Sequence, residues 1–167
     1  MREGPCGCGQ APGGDSKRDC MAARASLPGA HVLVVDDVPT NLAVARCMLR
    51  PYGMRVDCVP GGRQAVDAVR SGQPRYDAIF MDHMMPGMDG IAAARAIREE
   101  IGTEYARSVP IVAMTGGTPG GDEQLFLRNG FQAFLRKPLD ASQLDAVITK
   151  WVRSPKAGDC ACPRQGI

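Results

Sequence analysis

The chain has few aromatic residues and little net charge, and each of these features argues against a class of function. Its 167 residues include one Trp and three Tyr, which argues against an aromatic-lined flavin pocket. The formal net charge of +2 is too small to indicate a nucleic-acid partner by itself. No apolar run approaches the ~20 residues of a membrane span, and the first residues lack the apolar stretch of a signal peptide. We therefore expect a cytoplasmic location, no membrane insertion and no direct contact with nucleic acid.

Disulfide, zinc and phosphate-loop motifs are also missing. Seven cysteines are present, but an odd count without a secretory signal argues against a disulfide framework. The Cys-x-Cys pairs at 6–8 and 160–162 lack the further Cys or His of a zinc site. The glycine-rich stretch 116–121 lacks the Lys-Ser/Thr ending of a phosphate loop, so we expect only a mobile loop there. Cys47 and Cys58 have apolar neighbours in the sequence and are predicted to be small core residues.

Short apolar runs alternate with helical patterns along the middle of the chain. The resulting βαβαβαβαβα order demands a mainly parallel sheet with right-handed crossovers. We predict a doubly wound α/β fold with a five-stranded parallel sheet in the flavodoxin-like order 2-1-3-4-5. Within it, Arg98 is predicted on the outward side of the third helix, and Asp140 and Gln143 form a capping box at the last helix. The predicted strands are 31–35, 54–59, 78–81, 110–114 and 131–136.

The two ends of the chain differ in composition from its middle. Residues 1–28 and 155–167 are rich in Gly, Pro, Cys and charged residues and show no apolar periodicity. Ordering such segments costs more entropy than their small apolar surface can offset. We therefore predict one domain at 29–154, between a flexible arm and a flexible C-terminal linker.

Polar side chains follow the ends of four predicted strands. Strand one ends at Asp36 and Asp37, strand three at Asp82, strand four at Thr115 and strand five at Lys137. In the order 2-1-3-4-5 these strands are neighbours, so their ends open on one crevice. Three carboxylates crowded there repel one another unless a divalent cation lies among them. Oxygen ligands suit Mg²⁺, with Mn²⁺ as the alternative, rather than zinc.

This set of residues suits phosphoryl transfer, in which positioning and charge neutralisation do most of the catalysis. A carboxylate can attack phosphorus and become an acyl phosphate, which makes Asp82 the candidate nucleophile. A phosphatase of the haloacid dehalogenase type would need Asp-x-Asp after strand one, whereas Val38 occupies the third position here. His83 follows the nucleophile but points to the opposite face of the strand, so we expect no catalytic role for it.

At these residues the chain resembles the receiver domain of two-component response regulators. The resemblance runs over about 31–153 and rests on the acidic pair, on Thr115, on Lys137-Pro138 and on the M-D-x-x-M-P-G-M-D-G run at 81–90. Details of 110–115 and 126–131 are similar to receivers attached to hybrid sensor histidine kinases. No DNA-binding helix-turn-helix accompanies these motifs.

The resemblance implies a role for each site residue. Asp82 would be the phosphoacceptor, with a histidine kinase or a histidine phosphotransfer domain as donor. Mg²⁺ would be bound by Asp36, Asp37, Asp82 and the backbone carbonyl of Met84. Lys137 would contact the phosphoryl group, and its bond to the following proline would be cis, a form found almost only before proline.

The resemblance also implies how a signal leaves the site. Thr115 and Phe134 match the family's switch pair, so phosphorylation should alter the face of the fourth helix, fifth strand and fifth helix. A partner protein or a second receiver in a homodimer would bind that face.

Whether the chain counts as an enzyme stays open, because a receiver catalyses its own phosphotransfer and dephosphorylation, while a hybrid-kinase parent would be a kinase. The alternative is a receiver-like interaction module that works without phosphorylation, although such a module need not keep costly clustered charges.

Overall fold

A five-stranded parallel sheet forms the centre of the fold. The computed structural model describes residues 26–117 and 123–152. In space the strands run β2-β1-β3-β4-β5, and every pairing is parallel. This confirms the predicted doubly wound α/β fold and its strand order. The strands are β1 (His31–Val35), β2 (Arg55–Val59), β3 (Ala78–Asp82), β4 (Ile111–Thr115) and β5 (Ala133–Arg136).

Among the described residues, five α-helices connect the strands and a sixth follows β5. The short helix α4 is absent from the sequence prediction, and it begins where the Thr103 hydroxyl accepts a hydrogen bond from the Ala106 N–H. The helices predicted fourth and fifth are therefore α5 and α6. Among the described residues no helix has the length and hydropathy of a membrane span. The helices are α1 (Pro39–Leu49), α2 (Gly62–Ser71), α3 (Gly90–Glu99), α4 (Glu104–Ser108), α5 (Glu123–Arg128) and α6 (Ala141–Trp151).

The sheet separates two hydrophobic layers. Helices α2 to α5 pack on one face of the sheet, and α1 and α6 pack on the other. Strands β3 and β4 are buried at every residue, as expected for central strands covered on both faces. Strand β2 lies at the edge and is only partly covered. The residues at the carboxyl ends of these central strands are therefore held in place by the packed core.

Several smaller expectations can be compared with the structure. Cys47 is exposed on α1, so the prediction that it is a core residue was wrong. Cys58 is half-buried on the edge strand β2 and packs against the layer under α1 and α6, which agrees with the prediction in part. Asp140 accepts hydrogen bonds from the N–H groups of Ser142 and Gln143. The Gln143 side chain accepts instead from the Arg136 N–H, so the predicted reciprocal bond is replaced.

The ends of the chain are described only in part. Leu27, two residues before the predicted boundary at residue 29, is buried, and its N–H donates to the Tyr52 carbonyl at 2.8 Å. Most of the predicted arm and linker, and most of the predicted mobile loop, lie outside the described residues. The folded unit therefore includes residue 27.

Arg98 points inward, contrary to the prediction from its helical position. Its guanidinium donates to the Ala106 carbonyl at 2.7 Å, to the Gly130 carbonyl at 2.8 Å and to Oε1 of Gln132 at 2.8 Å. The same Gln132 oxygen accepts the N–H of Ile111 at 2.7 Å. Burial lowers the pKa of Arg98 to about 10, which leaves it charged at neutral pH. Arg98 thus ties α3 to α4 and to the turn before β5.

Arg98→Met should lower the free energy of unfolding by about 3 kcal/mol, because buried acceptors left without donors cost ~1–3 kcal/mol each and water reaches some of them. Urea denaturation followed by circular dichroism measures this loss. The matched control is Arg95→Met, since the Arg95 side chain is 59% exposed and, among the described residues, forms an ion pair only with Glu99, at 3.8 Å. We expect the control to change stability by less than about 0.5 kcal/mol. Equal losses in the two variants would contradict the role assigned to Arg98.

Candidate functional site

The parallel sheet brings the predicted polar residues to one edge. Asp36 follows β1, Asp82 ends β3, Thr115 ends β4 and Lys137 follows β5. Single carboxylate oxygens of Asp36, Asp37 and Asp82 all lie within 4.8 Å of one another. The Lys137 Nζ lies 2.6 Å from Asp36 Oδ2 and 2.9 Å from Asp82 Oδ1. The convergence expected from the strand ends is therefore present in the structure.

Asp36 is the most enclosed member of the cluster. Its side chain is fully buried, and Oδ1 accepts hydrogen bonds from the Val38 N–H at 2.9 Å and from Asn41 Nδ2 at 3.1 Å. Sequence reasoning missed Asn41. Its only signal was an amide side chain in the first turn of the helix that follows the acidic pair.

The cluster contains more negative than positive charge. Three carboxylates face one ammonium group, which leaves two negative charges uncompensated. Burial raises the pKa of Asp82, and the charge of Asp36 adds to this, while hydrogen bonds from Lys137 and the Met84 N–H work in the opposite direction. For Lys137 burial alone would lower the pKa, but the two neighbouring carboxylates outweigh it and raise the pKa. A divalent cation would remove the remaining imbalance.

The loop after β3 folds tightly against the backbone of Asp82. A Cβ at Gly90 would overlap the Asp82 carbonyl oxygen, so only glycine fits at the start of α3. Asp89 fixes the same point by accepting the Ala92 N–H at 2.7 Å. Met84, in the same loop, is 73% exposed. These constraints give a physical reason for the glycine and the aspartate that close the 81–90 motif.

His83 lies next to Asp82 but is directed elsewhere. Its ring packs edge-on against Phe126 with centroids 5.0 Å apart, on the face of the sheet that α5 covers. This contact agrees with the expectation that His83 takes no part in the chemistry.

Thr115 and Phe134 are held by neighbouring strands. The Thr115 hydroxyl is buried and accepts the Gly117 N–H at 3.1 Å. Phe134 is half-buried and packs against the layer under α2 to α5. In the register of β4 with β5, Ala113 pairs with Phe134.

The bond between Lys137 and Pro138 is cis, which confirms the form implied by the resemblance.

The response regulator receiver domain model matches residues 32–149. The chain belongs to the response regulator receiver domain family. It is thus a receiver of a two-component phosphorelay. Its relatives include a bacterial sensor histidine kinase and a probable histidine kinase of rice, in agreement with the resemblance to receivers of hybrid kinases.

Individual relatives show the extent of the match. Sensor protein GacS of Pseudomonas syringae pv. syringae is 40% identical over 121 residues, which cover 72% of this chain and 13% of that protein. The receiver domain of sensor histidine kinase PA1611 from Pseudomonas aeruginosa PAO1, solved with a magnesium ion in its active site cleft, is 39% identical with a TM-score of 0.65, covering 74% of this chain and 98% of that one. This chain therefore spans only a small part of the length of GacS.

A further structure contains a receiver with its phosphotransfer partner. It is the co-crystal structure of the Saccharomyces cerevisiae histidine phosphotransfer protein Ypd1 and the receiver domain of its response regulator Ssk1. The matched chain is 28% identical to this one with a TM-score of 0.66, over 80% of this chain and 97% of that chain.

Proposed function

We propose that this receiver accepts a phosphoryl group on Asp82 from a histidine kinase or a histidine phosphotransfer domain. The observation that carries the proposal is the contact of Lys137 Nζ with both Asp36 and Asp82, beside a cluster whose carboxylate oxygens lie within 4.8 Å of one another. A nucleophilic carboxylate next to a lysine and a cation site is the arrangement that phosphoryl transfer requires. The Ypd1–Ssk1 complex and the sensor kinases among the relatives support the choice of donor.

The acidic cluster fits a hard divalent cation. We infer that Asp36, Asp37, Asp82 and the backbone carbonyl of Met84 would bind Mg²⁺, since oxygen donors and two uncompensated charges suit it. Mn²⁺ prefers similar oxygen ligands. The bound cation would neutralise charge on the acceptor and on the incoming phosphoryl group. The magnesium ion in the PA1611 receiver supports this assignment.

The chain's own groups account for the transfer step. A carboxylate oxygen of Asp82 forms a bond to phosphorus while the phosphorus–nitrogen bond of the donor histidine breaks, and the electron pair returns to the imidazole nitrogen. The Lys137 ammonium, already 2.9 Å from Asp82 Oδ1, neutralises charge on the phosphoryl oxygens. The Thr115 hydroxyl at the end of β4 is a donor available to one of those oxygens.

Incubation of the full chain with acetyl phosphate and Mg²⁺, followed by intact-mass measurement, tests the proposal. We expect the mass of one phosphoryl group to be added, and excess chelator to prevent the addition. A chain that stays unmodified under these conditions, yet binds a receiver partner, would favour the alternative of a phosphorylation-independent interaction module. Labelling that persists in excess chelator would contradict the metal requirement.

We further propose that phosphorylation changes the face formed by α5, β5 and α6. The phosphoryl group would draw the Thr115 hydroxyl away from the Gly117 N–H, and the half-buried Phe134 ring could then turn inward. Two large apolar residues of α5 are exposed, Leu125 at 44% and Leu127 at 58%. Such residues suit contact with a partner protein or with a second receiver in a homodimer.

Thr115→Val keeps the shape of the side chain but removes the hydroxyl that the switch requires. We expect the variant to be phosphorylated on Asp82, yet to show smaller phosphorylation-induced changes of amide chemical shifts across 123–152 than wild type. Thr149→Val, on the exposed side of α6, is the control and should respond like wild type. Full wild-type shifts in Thr115→Val would mean that the signal takes another route.

A further inference from the structure

The two oxygens of the Asp36 carboxylate have different surroundings. Oδ1 accepts two hydrogen bonds, from the Val38 N–H at 2.9 Å and from Asn41 Nδ2 at 3.1 Å. Oδ2 accepts one, from Lys137 Nζ at 2.6 Å. Since a carboxylate oxygen offers about two acceptor positions, Oδ1 is saturated by the protein. Oδ2 keeps one position for a further ligand.

We propose that Asn41 is a positioning residue for the divalent-cation site. Its amide holds the Asp36 carboxylate in the rotation that turns Oδ2 towards Lys137 and the acidic cluster. Among the described residues, Asn41 and Lys137 are the two side chains that donate to Asp36. The inference rests on the proposed function, because it takes the cluster to be a cation site.

The place of Asn41 in α1 suits this role better than a role in helix stability. Pro39 begins the helix, and no side chain caps it at Val38. Asn is a poorer helix former than Leu or Ala, so its intrinsic helix propensity does not stabilise the first turn. The half-buried side chain lines a cavity of about 160 Å³ next to the cluster. The other lining residues are Asp36, Val44, Met114, Lys137, Pro138 and Leu139.

Carboxylate orientation matters to different degrees for different cations. Mg²⁺ demands near-ideal octahedral geometry, whereas Ca²⁺ accepts irregular geometry and a variable number of oxygens. Removing a hydrogen-bond partner of a metal ligand typically lowers metal affinity by about 10–100-fold. A carboxylate released from Asn41 can rotate and present either oxygen. The loss should therefore be large for Mg²⁺ and small for Ca²⁺.

The test is isothermal titration of MgCl₂ and of CaCl₂ into the full chain. Asn41→Leu removes the amide at similar size, and its side chain meets the apolar wall of the cavity. We expect its Kd for Mg²⁺ to rise about 10-fold and its Kd for Ca²⁺ to change by less than about 3-fold. Thr40→Leu, at an exposed position in the same helical turn, is the matched control and should bind both ions like wild type.

Each outcome bears on a different statement. Unchanged Mg²⁺ affinity in Asn41→Leu, or equal losses for both ions, would overturn the positioning role while leaving the proposed function intact. Failure of the wild-type chain to bind Mg²⁺ would instead count against the proposed function. If circular dichroism shows that Asn41→Leu does not fold, Asn41→Ala undergoes the same titrations, and the same change in the Mg²⁺ to Ca²⁺ preference is expected.

Discussion

Asp82→Asn should abolish phosphorylation by acetyl phosphate and leave the fold intact. The amide is close in shape to the carboxylate but has no negatively charged oxygen to attack phosphorus. Because burial raises the pKa of Asp82, loss of its charge removes a desolvation cost, and Lys137 keeps its shorter contact with Asp36. We therefore expect no mass increase and a thermal midpoint no lower than that of wild type.

A second aspartate provides the control for this substitution. Asp67 on α2 is 62% exposed in its side chain and contacts only Arg70 among the described residues. Asp67→Asn should be phosphorylated to the same extent as wild type. Wild-type labelling of Asp82→Asn would mean that another residue accepts the group, and unfolding of that variant would show that the charge is needed for the fold.

Lys137→Met should have two effects of opposite sign. Without metal we expect the free energy of unfolding to fall by about 3 kcal/mol, the lower end of the ~3–5 kcal/mol observed when one partner of a buried pair is removed. The lower end is chosen because the Lys137 side chain is 23% exposed, whereas Asp36 is at 0%. The affinity for Mg²⁺ should rise about 10-fold, because a competing positive charge has left the carboxylates.

Urea denaturation in chelator measures the first effect, and titration calorimetry with MgCl₂ measures the second. Lys150→Met is the control, since Lys150 lies near the Trp151 ring and forms no ion pair among the described residues. We expect it to leave both quantities near their wild-type values. A decrease of Mg²⁺ affinity in Lys137→Met would contradict the idea that the lysine and the cation share the same carboxylates.

Much of the fold and the convergence of the site follow from simple patterns. Buried apolar runs separated by helices specify a parallel sheet, and the carboxyl ends of its neighbouring strands meet at one edge. That reasoning predicts which residues lie together at the cleft. It does not distinguish Asp36 from Asp37, although the structure buries the first completely and leaves the second partly exposed. The difference depends on side-chain rotation and on hydrogen bonds that no periodicity encodes.

The residues that sequence reasoning missed share one property. Asn41 and Arg98 both act through side-chain hydrogen bonds, Asn41 to Asp36 and Arg98 to Gly130. The pattern of apolar residues along the sequence indicates neither bond. Arg98 in particular has a long side chain that reaches inward from a position at the border of the apolar stripe. Helix α4 was missed because five residues are too few to show a 3.6-residue period.

The most direct test of the central claim is to locate the phosphoryl group on the chain. After labelling with acetyl phosphate and Mg²⁺, borohydride reduces an acyl phosphate to the alcohol and converts the modified aspartate to homoserine. Peptide sequencing by mass spectrometry should find homoserine at position 82 and aspartate at positions 36 and 37. Homoserine at another position, or a phosphoryl group retained on His83, would contradict the assignment of Asp82 as the acceptor.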